Sequence, residues 1–131
     1  MRLTILLLIS VLSHSTCNSQ AIDCKKFKTG SFYYPSIPGK LSVRTDSIQK
    51  SYSDGQLQMI WKVKWLTDCK YEMTLDSILV ENGINKKGDR IVATIYSTDE
   101  NCYTASIVFY CEEIPEGEEL PGGPLCISKE N

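Results

Sequence analysis

Histidine is all but missing from this chain. A single one, His14, occurs among 131 residues. It lies in an N-terminal segment with the order of a secretory signal peptide: Arg2, an apolar run from Leu3 to Leu12 broken by Thr4 and Ser10, then small and polar residues. Cleaving such a leader leaves no histidine. That excludes Ser-His-Asp and Cys-His nucleophile activation, HExxH-type metal hydrolysis and every His-ligated metal site. No catalytic residue, metal or cofactor is therefore expected. The chain also has no C-x-x-C pair, which removes the zinc-ribbon and thioredoxin-type readings. Its longest apolar run is about half a bilayer span, so no integral membrane span is expected. Positive charge is not in excess: 14 Lys+Arg face 16 Asp+Glu for a net −2, which argues against a nucleic-acid partner. Helical spacing is absent over any three turns, so long helices are not expected either.

The leader has two exits. Ser19-Gln20-Ala21 places small residues at −3 and −1 of a cut before Ile22, which would release a soluble secreted or periplasmic protein. The alternative is lipidation of Cys17, with Asn18-Ser19-Gln20 as the tether of an envelope-anchored form. His14 at −3 and Thr16 at −1 make a poor lipobox for it. The organisation expected is a signal peptide over 1–21, a β domain over 22–112 and an acidic tail over 113–131.

What the mature chain does have is alternation with period two from Phe27 to Glu112, the mark of half-buried strands. Leu57, Met59, Trp61, Val63 and Trp65 share one face. So do Tyr71, Met73 and Leu75, then Tyr103, Ala105, Ile107 and Phe109, and Gly30, Phe32 and Tyr34. Arg90–Ser97 carries apolar residues on both faces, which leaves its inward face open. Asp54-Gly55 and Asn82-Gly83 are hairpin-type dipeptides. Parity slips predict a turn at Thr45-Asp46 and a bulge at Asp76-Ser77. The spacing predicts about seven strands, at 27–34, 40–45, 47–53, 56–66, 69–80, 89–98 and 102–112. Short connections make neighbours antiparallel, and an up-and-down meander of this size must close or curl to hide its edges. The fold class is all-β, a small barrel or curved half-barrel, with a two-sheet sandwich as the second reading.

Past Cys111 the chain is acidic and rich in Pro and Gly, and reads as a loop or tail rather than a strand. Export makes disulfides the default for Cys24, Cys69, Cys102, Cys111 and Cys126. Five is an odd number, so one is free or pairs between chains. Cys102 and Cys111 stand at opposite ends of one predicted strand and cannot bond each other. The bridges expected are Cys24–Cys69, clipping the first strand to the start of the fifth, and Cys111–Cys126, tying the tail back. Cys102 is then left over, an inert thiol without a histidine to activate it.

Phe32, Tyr34, Trp61, Trp65, Tyr71 and Phe109 converge on the barrel interior. Such rings either fill a core or line a mouth that takes a small apolar ligand. Strands this short favour the filled core. Lys62, Lys64 and Lys70, with Lys25, Lys26 and Lys28, read as a solvated face rather than a stripe for an anionic surface. Glu112, Glu113, Glu116, Glu118 and Glu119 lack the alternating order of a Ca²⁺ loop. Glu72 and Asp76 share a strand face, as a glycosidase pair does, but read as surface carboxylates.

Three motifs carry a resemblance: Cys24-Lys25-Lys26-Phe27-Lys28-Thr29-Gly30, Arg44-Thr45-Asp46-Ser47-Ile48-Gln49, and Trp65-Leu66-Thr67-Asp68-Cys69-Lys70-Tyr71-Glu72-Met73-Thr74. Together they resemble a group of short, exported, uncharacterised bacterial proteins with a C-x-x-F-K-x-G start, an R-T-D-S-x-Q turn and a W-x-x-x-C-x-Y-E-L-T strand. Some members carry a DNA topoisomerase IV label, which a small, acidic, exported chain does not support. The resemblance implies a small β-barrel with Cys24 paired to Cys69, and supplies no catalytic residues. Gly30-Ser31-Phe32 is also similar to the G-x-W opening of calycins such as lipocalins, with Phe in place of Trp. The functional expectation is a monomeric, non-enzymatic exported barrel that binds a small apolar or amphiphilic ligand. The alternative is an interaction or structural module of the cell envelope, meeting an envelope protein through its outer strand faces and acidic tail.

Overall fold

The computed structural model describes residues 22–129; the signal peptide, the cut after Ala21 and lipidation of Cys17 lie outside the described residues. A single 3₁₀ turn, Lys25–Phe27, leads into nine strands: β1 (Gly30–Tyr33), β2 (Lys40–Arg44), β3 (Ile48–Ser53), β4 (Gln56–Thr67), β5 (Lys70–Ile78), β6 (Arg90–Thr98), β7 (Cys102–Cys111), β8 (Ile114–Leu120) and β9 (Leu125–Ile127). Among the described residues no helix is long and apolar enough to cross a membrane.

Local chemistry sets the corners. Asp54 and Gly55 both take positive φ, 49° and 79°, the conformation a two-residue hairpin with matching twist requires between β3 and β4. Ile60 faces Ser77 while Trp61 faces Leu75, so Asp76 is the extra residue of a bulge, where the parity slip places it. β6 turns Ala93 and Ile95 inward and leaves Tyr96 exposed, which settles the one strand whose face the alternation left open.

All neighbours are antiparallel. β1 through β7 pair in chain order, and β9 then pairs with both β7 and β1, closing an eight-stranded barrel. The ninth strand, β8, lies on β7 alone. β8 and β9 follow one another along the same edge of β7: Cys111 faces Ile114 and Ile107 faces Leu120, then Tyr103 faces Leu125 and Cys102 faces Cys126. They are two halves of one returning strand, interrupted at Pro121–Pro124. Gly122 belongs in that gap because a Cβ there would collide with the Ala105 carbonyl.

Two expectations are corrected here. The segment after Cys111 is not a loose tail but the strand that closes the barrel. Its composition misleads because β8 has a ladder partner on one side only. An edge tolerates Pro115, whose missing N–H is not needed there, and Glu116, Glu118 and Glu119 guard the free edge against pairing with other chains. The second disulfide is Cys102–Cys126, not Cys111–Cys126, and Cys111 is the free thiol among the described residues. The returning strand runs antiparallel to β7, which sets Cys126 opposite the start of β7, while Cys111 sits at its far end beside the turn. Cys24–Cys69 forms as expected.

Candidate functional site

Alternating strands sort the connections to two ends. One end gathers the 3₁₀ turn and the β2–β3, β4–β5 and β6–β7 corners; the other gathers the β1–β2, β3–β4, β5–β6 and β7–β8 connections. The first end is plugged. Phe27, Phe32, Tyr71 and Tyr103 are buried there around a fully buried cation, Arg44. β2 turns Ser42 and Arg44 inward, and β3 does the same with Gln49.

The Arg44 guanidinium spends its fork on four partners. Nε donates to Gln49 Oε1 at 2.8 Å, one Nη to the Phe27 carbonyl at 3.0 Å, and the other to the hydroxyls of Tyr103 at 2.8 Å and Tyr71 at 3.2 Å. Its plane also packs 4.5 Å from the Tyr71 ring centroid and 5.0 Å from that of Phe32. Among the described residues no carboxylate forms a salt bridge with it. Burial pushes the Tyr103 hydroxyl well above the ordinary phenol range and raises that of Tyr34, so both remain neutral donors at any ordinary pH.

The other end is hollow. A cavity of about 440 Å³ opens between the connections, with Met59, Trp61, Met73, Ile91 and Phe109 on its apolar wall. Tyr34, Ser42 and Gln49 line it on the side towards Arg44, and Lys40, Tyr52, Gln58 and Ile84 stand towards its mouth. The expectation of a filled core thus holds for one half of the barrel only. Inward positions on β2 and β3 carry Ser42, Gln49 and Ser51, short or polar side chains that leave the upper half unfilled.

The six aromatics read from the sequence divide accordingly. Tyr34, Trp61 and Phe109 line the cavity. Phe32, Trp65 and Tyr71 belong to the plug, where Trp65 and Tyr71 lie 4.7 Å apart. Arg44, Ser42 and Gln49 were missed as interior residues, because apolar alternation puts Leu41, Val43 and Ile48 inside instead. No local signal in the sequence marks them, because the groups that surround Arg44 come from distant parts of the chain. The charged clusters are spent on pairs: Lys28 with Asp68 at 2.9 Å, Lys62 with Asp76 at 3.3 Å and Arg90 with Glu72 at 3.0 Å.

At the β7–β8 turn Lys86 meets Glu113 at 2.7 Å. That hydrogen bond, with smaller help from the turn backbone and Cys111, holds the Glu113 carboxyl at about 2 instead of 4.5. A value lower in the folded state than in the unfolded one contributes stability that is present above 4.5 and is lost as the pH falls towards about 2. Both partners are exposed, so the effect on stability is small. Lys86→Gln is expected to return Glu113 to the ordinary carboxylate range in an NMR titration; an unchanged curve would assign the shift to the turn alone.

Comparison with protein-family models, curated proteins and solved structures finds no match for this chain.

Proposed function

We propose that this protein is a non-enzymatic binding barrel of an oxidising compartment, secreted, periplasmic or anchored to the envelope, that holds a small apolar or amphiphilic molecule in its cavity. The observation that carries the reading is the half-empty barrel. A volume of about 440 Å³ falls in the ~300–1,000 Å³ range of small-molecule sites, and a mostly apolar wall with a few convergent polar groups is their usual make-up. The mouth supports it too. Ile84, on the long β5–β6 connection, lines the cavity yet is 77% exposed, an apolar side chain placed where a water-shy ligand would enter. Cys24–Cys69 and Cys102–Cys126 fit an oxidising compartment. Lipocalin-like use of such a barrel agrees with the motif resemblance described above.

The test uses the two tryptophans. Trp61 lines the cavity and Trp65 sits in the plug, so titration with a neutral fluorescent probe such as 1-aminoanthracene is expected to quench emission saturably. Trp65→Phe should keep that quenching and Trp61→Phe should lose most of it. Absence of both quenching and thermal shift across a panel of lipids and small metabolites would overturn the proposal.

A further inference from the structure

We infer that the cavity takes its ligand polar end first and that this end is a carboxylate, so that the ligand class is an anionic amphiphile; the inference rests on the cavity being a ligand site. Its basis is the arrangement beneath the apolar wall. Gln49 is buried, and Arg44 can only donate, so the bond from Arg44 Nε fixes Oε1 of Gln49 towards the plug and its NH₂ towards Ser42 and the cavity. Gln49 Nε2 donates to Ser42 Oγ at 3.4 Å, and Ser42 Oγ lies 2.7 Å from the Tyr34 hydroxyl.

The three side chains have four hydrogens to donate, two on the amide and one on each hydroxyl, and their two mutual bonds use two of them. One amide N–H and one hydroxyl are left for whatever fills that end. Two donors side by side match the two oxygens of a carboxylate. Behind them stands the Arg44 charge, which has no anionic partner among the described residues and acts through a low-dielectric interior. The ionisable acid among the lining residues is Glu118, on β8, and Lys40 is there to offset it. A neutral or cationic head would leave the Arg44 field unanswered. The apolar wall of Trp61, Met73, Ile91 and Phe109 then receives the ligand's hydrocarbon part.

The experiment compares three probes of one chain length, laurate, dodecanol and dodecylamine, by Trp61 emission on the full disulfide-bonded protein at neutral pH. Laurate is expected to bind at least about tenfold more tightly than dodecanol, and dodecylamine more weakly than either. Equal affinities for laurate and dodecanol would overturn the anionic assignment and leave the binding barrel standing. No response to any of the three, together with none to 1-aminoanthracene, would overturn both.

Discussion

Replacing Arg44 with leucine is expected to lower the stability of the barrel by about 3–5 kcal/mol, with a large drop in the urea midpoint and little change in slope. The side chain is fully buried and bonds four residues from four separate places in the chain: Phe27 before β1, Gln49 on β3, Tyr71 on β5 and Tyr103 on β7. Without it the Phe27 carbonyl and the Gln49 amide oxygen are left in the interior with nothing to accept from. The tyrosine hydroxyls, 3.0 Å apart, can still bond each other, which keeps the loss below a sum over four bonds. Arg44→Lys should recover little, because a single ammonium cannot satisfy a planar fork of partners. Arg44→Met combined with Gln49→Leu should lose less than Arg44→Leu alone, since it removes the stranded amide oxygen together with the cation. An Arg44→Leu unfolding free energy within about 1 kcal/mol of the parent would show that the plug does not depend on the cation. The same burial sets an alkaline limit. Tyr103 has a folded value above the ordinary 10.0, so its contribution is intact below that pH and is lost as the pH climbs beyond it.

The second large effect concerns the closing strand. Truncation after Glu113 removes β8 and β9, unpairs one edge of β1 and one of β7, and deletes Cys126 with the buried Leu125. The expected product has no cooperative unfolding transition and associates through its open edges. Such a deletion cannot serve as a test of the acidic segment as a docking arm, because it destroys the barrel first. Cys126→Ser separates the bridge from the strand. Releasing a loop with a sequence separation of 24 should cost about 3–4 kcal/mol in the chain-entropy model, against about 4 for the separation of 45 between Cys24 and Cys69. Cys111→Ser should change stability by less than about 0.5 kcal/mol. Peptide mapping without reduction checks the pairing directly: a Cys102 peptide joined to a Cys126 peptide, with Cys111 alkylated. A Cys111–Cys126 link would return the connectivity expected from the sequence and refute the strand register.

Strand positions were legible because water on one face and a core on the other impose a period of two, and the rows Trp61–Val63, Tyr71–Met73–Leu75 and Tyr103–Ala105 obey it. β2 was not legible in the same way. Its buried residues are Ser42 and Arg44, and a rule that sends apolar side chains inward selects Leu41 and Val43. Only the ring of tyrosines, the Phe27 carbonyl and Gln49, contributed from distant parts of the chain, makes an interior arginine tolerable. β8 fails the rule for a different reason. An edge strand needs no donors on its free side and gains from charge there, so its composition resembles that of a loop. The cavity residues Tyr34, Trp61 and Phe109 were within reach as aromatics on inward faces, yet nothing local distinguishes them from Phe32, Trp65 and Tyr71.

Local pattern alone determined that this chain is an antiparallel β meander, since that follows from residue type and alternation. Tertiary closure decided the rest. By bringing the last strand back between β7 and β1 it chose Cys102 as the partner of Cys126. By gathering one half of the inward side chains around Arg44 it packed that half and left the other open, because the bulk of a core is set by which residues meet across the barrel and not by which residues follow one another.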